Sequence, residues 1–240
     1  NFTKFLMDET VFTDATFHKV IFDEANMDGL YLDFMDFHKS TFVGTDLTNV
    51  YLSSSELSKC NMSGVDLSAA ELNKTILTEA NMERATLNGA TMYEASFMEA
   101  ILTNASLLSC DMTRANFTGA MMERSLLTGS NLSNTIFINA MMKGAVLRDI
   151  VYAKGANFSG ADLTGADFSN SNLANAVFKD AILNGVNFSG ANLSGVDLSS
   201  LSIQKANFKG ANLRGTIFKR SDLSESILTD CYYLDKTNFY

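Results

Sequence analysis

Large apolar residues recur along this chain at every fifth position. From Phe2 to Leu147 there are 30 such positions, all Leu, Phe or Met, and from Phe158 to Tyr233 there are 16, of which only Ile203 and Tyr233 are neither Leu nor Phe. A period of five fits neither a helix, at about 3.6 residues per turn, nor a strand, at about 2. It fits three extended residues followed by two that turn. With the large residue taken as the centre, places minus 2 and centre point to one side and place minus 1 to the other. The pattern therefore predicts an inner face of small and large apolar side chains and an outer face rich in Asn, Asp, Ser and Thr. The turn needs positive φ at its second residue, and all 15 glycines, Gly29 to Gly215, fall at place plus 2.

Repeated corners wind such a chain so that its backbone groups pair with the levels above and below, about 4.8 Å apart. The absence of proline agrees, because each would remove a pairing N–H. The period slips once. The stretch "LRDIVYAKGANF" holds one residue more than two frames allow, between Asp149 and Gly155, which predicts a one-residue bulge near 150–154. A functional seam and the repair of an inserted residue are both open readings of it.

The runs "ANFSGADLTGADF", "ANMERATLNGA", "ANFTGA" and "ANFKGANLRGT" resemble the pentapeptide repeat proteins, and the resemblance extends over nearly the whole chain. It implies an all-β fold, a right-handed quadrilateral β-helix of about 12 coils with about 20 residues in each. Residues 1–240 then form a single repeat domain with a register change at about 149–155. A period of 20 has support in the residues themselves: "FHKV" at 17–20 returns as "FHKS" at 37–40, and Phe97, Phe117 and Phe137 lie 20 apart.

Composition narrows the function. Eighteen Lys and Arg stand against 27 Asp and Glu, a net charge of -9, which disfavours direct binding to nucleic acid and favours basic partners. The charge is uneven: residues 1–120 carry 7 basic and 17 acidic side chains, net -10, while residues 121–240 carry 11 and 10, net +1. No apolar run approaches the roughly 18 residues of a membrane span, so a soluble protein is expected. The lack of an initiator Met predicts a processed or trimmed N-terminus and leaves the compartment open, with the cytoplasm and, from the resemblance to cyanobacterial and chloroplast proteins, the thylakoid lumen as candidates. Cys60, Cys110 and Cys231 occupy a place usually held by Ala, Ser or Thr and read as small buried residues.

An interior filled with Leu, Phe and Met leaves no room for a reaction centre, so no enzyme, cofactor or metal is expected. Candidate contacts lie where the outer wall departs from its grammar. Ile101, Met121 and Met141, with Leu126 beside Val146 and with Ile136 and Ile138 nearby, put apolar side chains where polar ones belong and form a candidate protein interface. Tyr31 and Tyr51 make a smaller column of the same kind. His18 and His38, near Asp36, with Lys19, Lys39 and Lys59, form a basic column that reads as a solvated face or as an anion or partner contact, with Glu56 as a local counter-charge. Tyr232, Tyr233, Phe239 and Tyr240 are a candidate terminal contact, either covering the last level or meeting another chain, so that a homo-oligomer or large complex could form through the ends. The expected function is a non-enzymatic, rigid protein–protein interaction scaffold, a subunit of a larger assembly or a fragment of a longer chain. The alternative is an acidic DNA mimic that inhibits or protects a DNA gyrase-type topoisomerase, as the resemblance implies for some members of the family.

Overall fold

The computed structural model describes residues 1–7, 12 and 15–239. Among these residues there is no α-helix and no β-strand; the one helical element is a 3-10 turn at Leu234–Lys236. The expectation of an all-β, right-handed quadrilateral β-helix of about 12 coils is corrected accordingly. What pairs the chain with itself is a set of isolated parallel bridges, Ile21 to Thr41, Asn26 to Asp46, Tyr31 to Tyr51, Asp36 to Glu56 and onward, each between single residues 20 apart. The reason is the corner. A strand needs consecutive paired residues, and a turn in every pentapeptide leaves room for one bridge residue before the chain bends away.

The bridges fall into four columns, named here after Ile21, Asn26, Tyr31 and Asp36. Each pentapeptide spends its backbone donors the same way. Phe22 N–H donates to the Thr41 carbonyl at 2.8 Å, Glu24 N–H to Val43 at 2.9 Å and Asn26 N–H back to Phe5 at 2.9 Å, while Ala25 N–H closes the turn on Phe22 at 3.0 Å. The fifth donor, at place plus 1, is met by a side chain. Asp46 Oδ1 accepts from Thr48 N–H at 3.1 Å, Asn116 Oδ1 from Thr118 N–H at 3.0 Å and Asp167 Oδ1 from Ser169 N–H at 2.9 Å. Asn and Asp recur at place minus 1 because their short oxygen reaches the backbone two residues on. Most Ser, Thr and Cys at place minus 2 are buried and donate inward to a carbonyl of the level below, as Thr45 does to Phe22 at 2.8 Å and Ser130 to Leu107 at 2.8 Å, whereas Ser221, Ser226 and Cys231, near the C-terminal end, are only half-buried.

Among the described residues place plus 2 is left-handed from Lys4 to Asp230, and not only where glycine stands. Lys19, Phe34, Asn49, Arg84 and Glu99 adopt φ of 58°, 62°, 54°, 58° and 57° there. Every centre from Phe22 to Phe218 is at most 2% exposed. Phenylalanines stack in register inside: Phe97 on Phe117 at 4.7 Å, Phe117 on Phe137 at 5.2 Å, Phe137 on Phe158 at 4.9 Å and Phe158 on Phe178 at 5.1 Å between ring centroids.

The pairing changes around Val151. Asn131 bridges Tyr152, Ile136 bridges Asn157, Met141 bridges Asp162 and Val146 bridges Asp167, all at an offset of 21, and the offset is 20 again from Asn157 to Val177. Val151 itself is 59% exposed. Just beyond, no bridge among the described residues pairs Tyr152 with Asn172 or Val177 with Asp197. Two openings lie there, of about 220 Å³ beside Tyr152, Ala153 and Asn172 and about 410 Å³ beside Val177, Phe178 and Asp197, and both reach Asn175. Ala153, at a place where a large centre belongs, lines the smaller of them.

Candidate functional site

The apolar candidates occupy adjacent levels. Ile101, Met121 and Met141 bridge one another in sequence in the Ile21 column, and Leu126 bridges Val146 in the Asn26 column. Ile136 stands in a third column, bridged to Asn116 and Asn157, and Ile138 lies half-buried at its corner. Met141 and Leu126 are the most exposed of the group, at 40% and 38%. Charge bounds the patch on its later side: Asp162, bridged to Met141, pairs with Lys143 at 3.3 Å, and Asp167, bridged to Val146, pairs with Arg148 at 2.7 Å. Burial pushes the Asp167 carboxyl up, but hydrogen bonds from Ser169 and the Arg148 guanidinium outweigh it and hold it below the usual range. An Ile or Met at place minus 1 has no oxygen for the plus 1 N–H, so each forgoes a bond worth about 1 kcal/mol. Ile76, Val177 and Ile182 are exposed at the same place; the place in the repeat was the signal for them, and the sequence reading passed over it.

Tyr31 and Tyr51 stack face to face, 4.3 Å between centroids and 8° from parallel. Asp33 lies alongside, accepting from Ser53 N–H at 2.6 Å, and Glu71 bridges Tyr51 from the next level. Phe34, three residues from Tyr31, is 79% exposed. The sequence reading missed it, although a large aromatic at a glycine place is visible there.

The basic column is less uniform than expected. His18 Nε2 meets Asp36 Oδ2 at 2.6 Å, and the His18 and His38 rings lie 6.1 Å apart. Although burial opposes it, hydrogen bonds from His18 and from His38 N–H lower the Asp36 pKa. No group of three or more His, Cys, Asp or Glu among the described residues could hold a metal ion. Lys19 and Lys39 stand at left-handed corners of the same column as Lys59. The counter-charge of Lys59 is Glu79, at 3.2 Å, and not Glu56, whose Oε1 accepts from Ser58 N–H. A corner residue finds its partner at the same corner one level on.

At the C-terminal end Phe239 stacks on Phe218 at 5.5 Å, Tyr232 bridges Asn212, and the Arg214 guanidinium lies over the Tyr233 ring at 5.8 Å. Tyr232 and Tyr233 remain more than half exposed, and Tyr240 lies outside the described residues. Cys60 and Cys110 are buried, with their thiols pushed up to about 12 by that burial. No helix among the described residues is long and apolar enough to cross a membrane.

No curated protein matches the sequence. Solved structures do. HetL, a pentapeptide repeat protein involved in heterocyst differentiation regulation from the cyanobacterium Nostoc sp., is 27% identical over 90% of this chain and 87% of that one, with a TM-score of 0.46. QnrB1, a plasmid-mediated fluoroquinolone resistance protein, is 17% identical over 88% and 92%, with a TM-score of 0.44. A pentapeptide repeat protein from the Arabidopsis thaliana thylakoid lumen is 22% identical over 59% and 66%, with a TM-score of 0.20. The family rests on the repeats themselves. Residues 151–228 match the pentapeptide repeat region family and residues 32–68, 66–104 and 110–149 match pentapeptide repeats, so this chain belongs to the pentapeptide repeat family.

Proposed function

We propose that this chain is a non-enzymatic protein that binds another protein through the acidic wall of its first half, and that the partner is a gyrase-type topoisomerase whose DNA-binding surface it occupies. The observation that carries this reading is the placement of the acids. Asp46 bridges Asp66 and Asp36 bridges Glu56, so like charges stand on successive levels, an arrangement that costs stability. The fold does not need them, since Asn116 and Asn157 make the same side-chain bond to the plus 1 N–H. A row of carboxylates retained against that repulsion suits a cationic surface. The reading predicts that the protein changes gyrase supercoiling in a salt-sensitive way and that Asp46→Asn with Asp66→Asn weakens the effect while leaving the fold intact. Supercoiling unaffected by the wild-type protein would refute it.

A second reading, a rigid interaction scaffold, is favoured by the Ile101, Met121 and Met141 column, which gives up side-chain bonds to expose apolar surface. On that reading Met121→Lys or Met141→Lys abolishes capture of a partner from the native source, and undiminished capture sinks it. On either reading residues 1–240 act as one domain, supported by the continuous buried cluster from Met7 to Phe218. For its compartment we propose the cytoplasm or the thylakoid lumen, the latter being where the Arabidopsis relative resides; fractionation of the native source separates the two.

A further inference from the structure

We propose that Tyr31, Tyr51 and Phe34, with Asp33 and Glu71, form a site for an arginine-bearing segment of another protein. The chain contains its own version of such a contact. In the same column, Arg114 lies over the Tyr93 ring at 5.8 Å, donates to the Tyr93 hydroxyl at 2.9 Å and pairs with Glu94 at 3.0 Å. A guanidinium, a tyrosine ring and a carboxylate complete one another there, as the planar charge of arginine suits a π face and an acid together.

Around Tyr31 the ring and the acids are present, and among the described residues no cation stands over the ring; Lys74, in the pentapeptide of Glu71, acts on Glu94 at the following corner. Residues 31–34 read Tyr-Leu-Asp-Phe and residues 51–54 read Tyr-Leu-Ser-Ser, with no Lys or Arg in either pentapeptide wall. Tyr31 is 69% exposed and stacks on its parallel partner Tyr51. The hydrogen bond with Tyr31 is the main cause that raises the Tyr51 phenol pKa, and the nearby Glu71 and Asp33 carboxylates add to it.

Phe34 supplies the independent sign. Among the described residues it is the one aromatic at place plus 2, at φ 62°, a conformation unfavourable for a bulky side chain, and it is exposed instead of packed; Tyr233, the other aromatic with positive φ, stands at a centre and caps the 3-10 turn. Packing does not explain it, whereas a second apolar contact with the bound segment does.

The site rests on the acidic-wall reading only for the sign of the partner's charge. Its test is calorimetry of the full chain with a twelve-residue Gly-Ser peptide carrying two arginines, beside peptides carrying two lysines or two glutamines. The arginine peptide binds, the lysine peptide binds about threefold or more weakly and the glutamine peptide does not bind. Tyr31→Ala weakens the arginine peptide about tenfold. Phe34→Gly weakens it too while raising the melting temperature, so that lost binding cannot come from lost folding. Equal binding of the arginine and lysine peptides with no effect of Tyr31→Ala, or no binding by the wild type, overturns the site; retained binding by Phe34→Gly removes Phe34 from it. Asp46→Asn with Asp66→Asn leaves peptide binding intact, which separates failure here from failure of the topoisomerase reading.

Discussion

Phe117 is the second of five rings in the stack from Phe97 to Phe178, fully buried, with Phe97 at 4.7 Å on one side and Phe137 at 5.2 Å on the other, both within 14° of parallel. Replacement by leucine keeps an apolar side chain in a slot that leucine fills at many other levels, yet removes two ring contacts. At about 0.5–1.5 kcal/mol per pair beyond burial, Phe117→Leu should cost about 1–3 kcal/mol. Phe117→Ala also leaves a cavity that backbone pairing to the levels above and below prevents from collapsing, and should cost about 3–5 kcal/mol. Urea unfolding followed by circular dichroism reads both, as shifts in midpoint at constant slope. The reasoning fails if the leucine variant is as stable as the wild type, for the rings would then contribute only volume. It fails equally if leucine costs as much as alanine, since volume would then count for nothing.

Two further outcomes follow from titration. Cys60 and Cys110, with thiols near 12 and hydroxyl-like bonds to Phe37 and Leu87 carbonyls, should stay unreactive toward a disulfide reagent at pH 8 in the native protein and react at once in denaturant. Asp162 and Asp167 have folded pKa values below the ordinary 3.8, because hydrogen bonds and the Lys143 and Arg148 charges outweigh their burial. Their contribution is therefore fully present above that value and lost as pH falls through the depressed one. Midpoints should drop on acidification below about pH 4, and less so in Arg148→Met, which gives up part of the shift.

How far the sequence reached depends on which physical rule applied. The buried centres, such as Leu67 and Phe137, and the left-handed corners at Gly64 and Gly129 were legible because each follows from one residue and its place in the period. The absence of strands was not, since periodicity reports which way side chains point and is silent on how many consecutive residues pair. The partner of Lys59 was missed because it lies at Glu79, at the same corner one level on, whereas Glu56 is nearer only along the chain. Phe34 was visible as a bulky residue at a glycine place, but that place was read only for its charged residues. The opening beside Ala153 follows from an alanine at a place that elsewhere holds a large centre.

The shift of offset at Val151 bears on how such a chain can grow. Four bridges take up the additional residue, and by Asn157 and Val177 the spacing is what it was before. Each level is bonded to its immediate neighbours alone, so a misfit is confined to the place where it arises. Copying of a segment during evolution need not be true to the residue, because an imperfect join heals within one level. Length is thus an easily altered trait of this architecture.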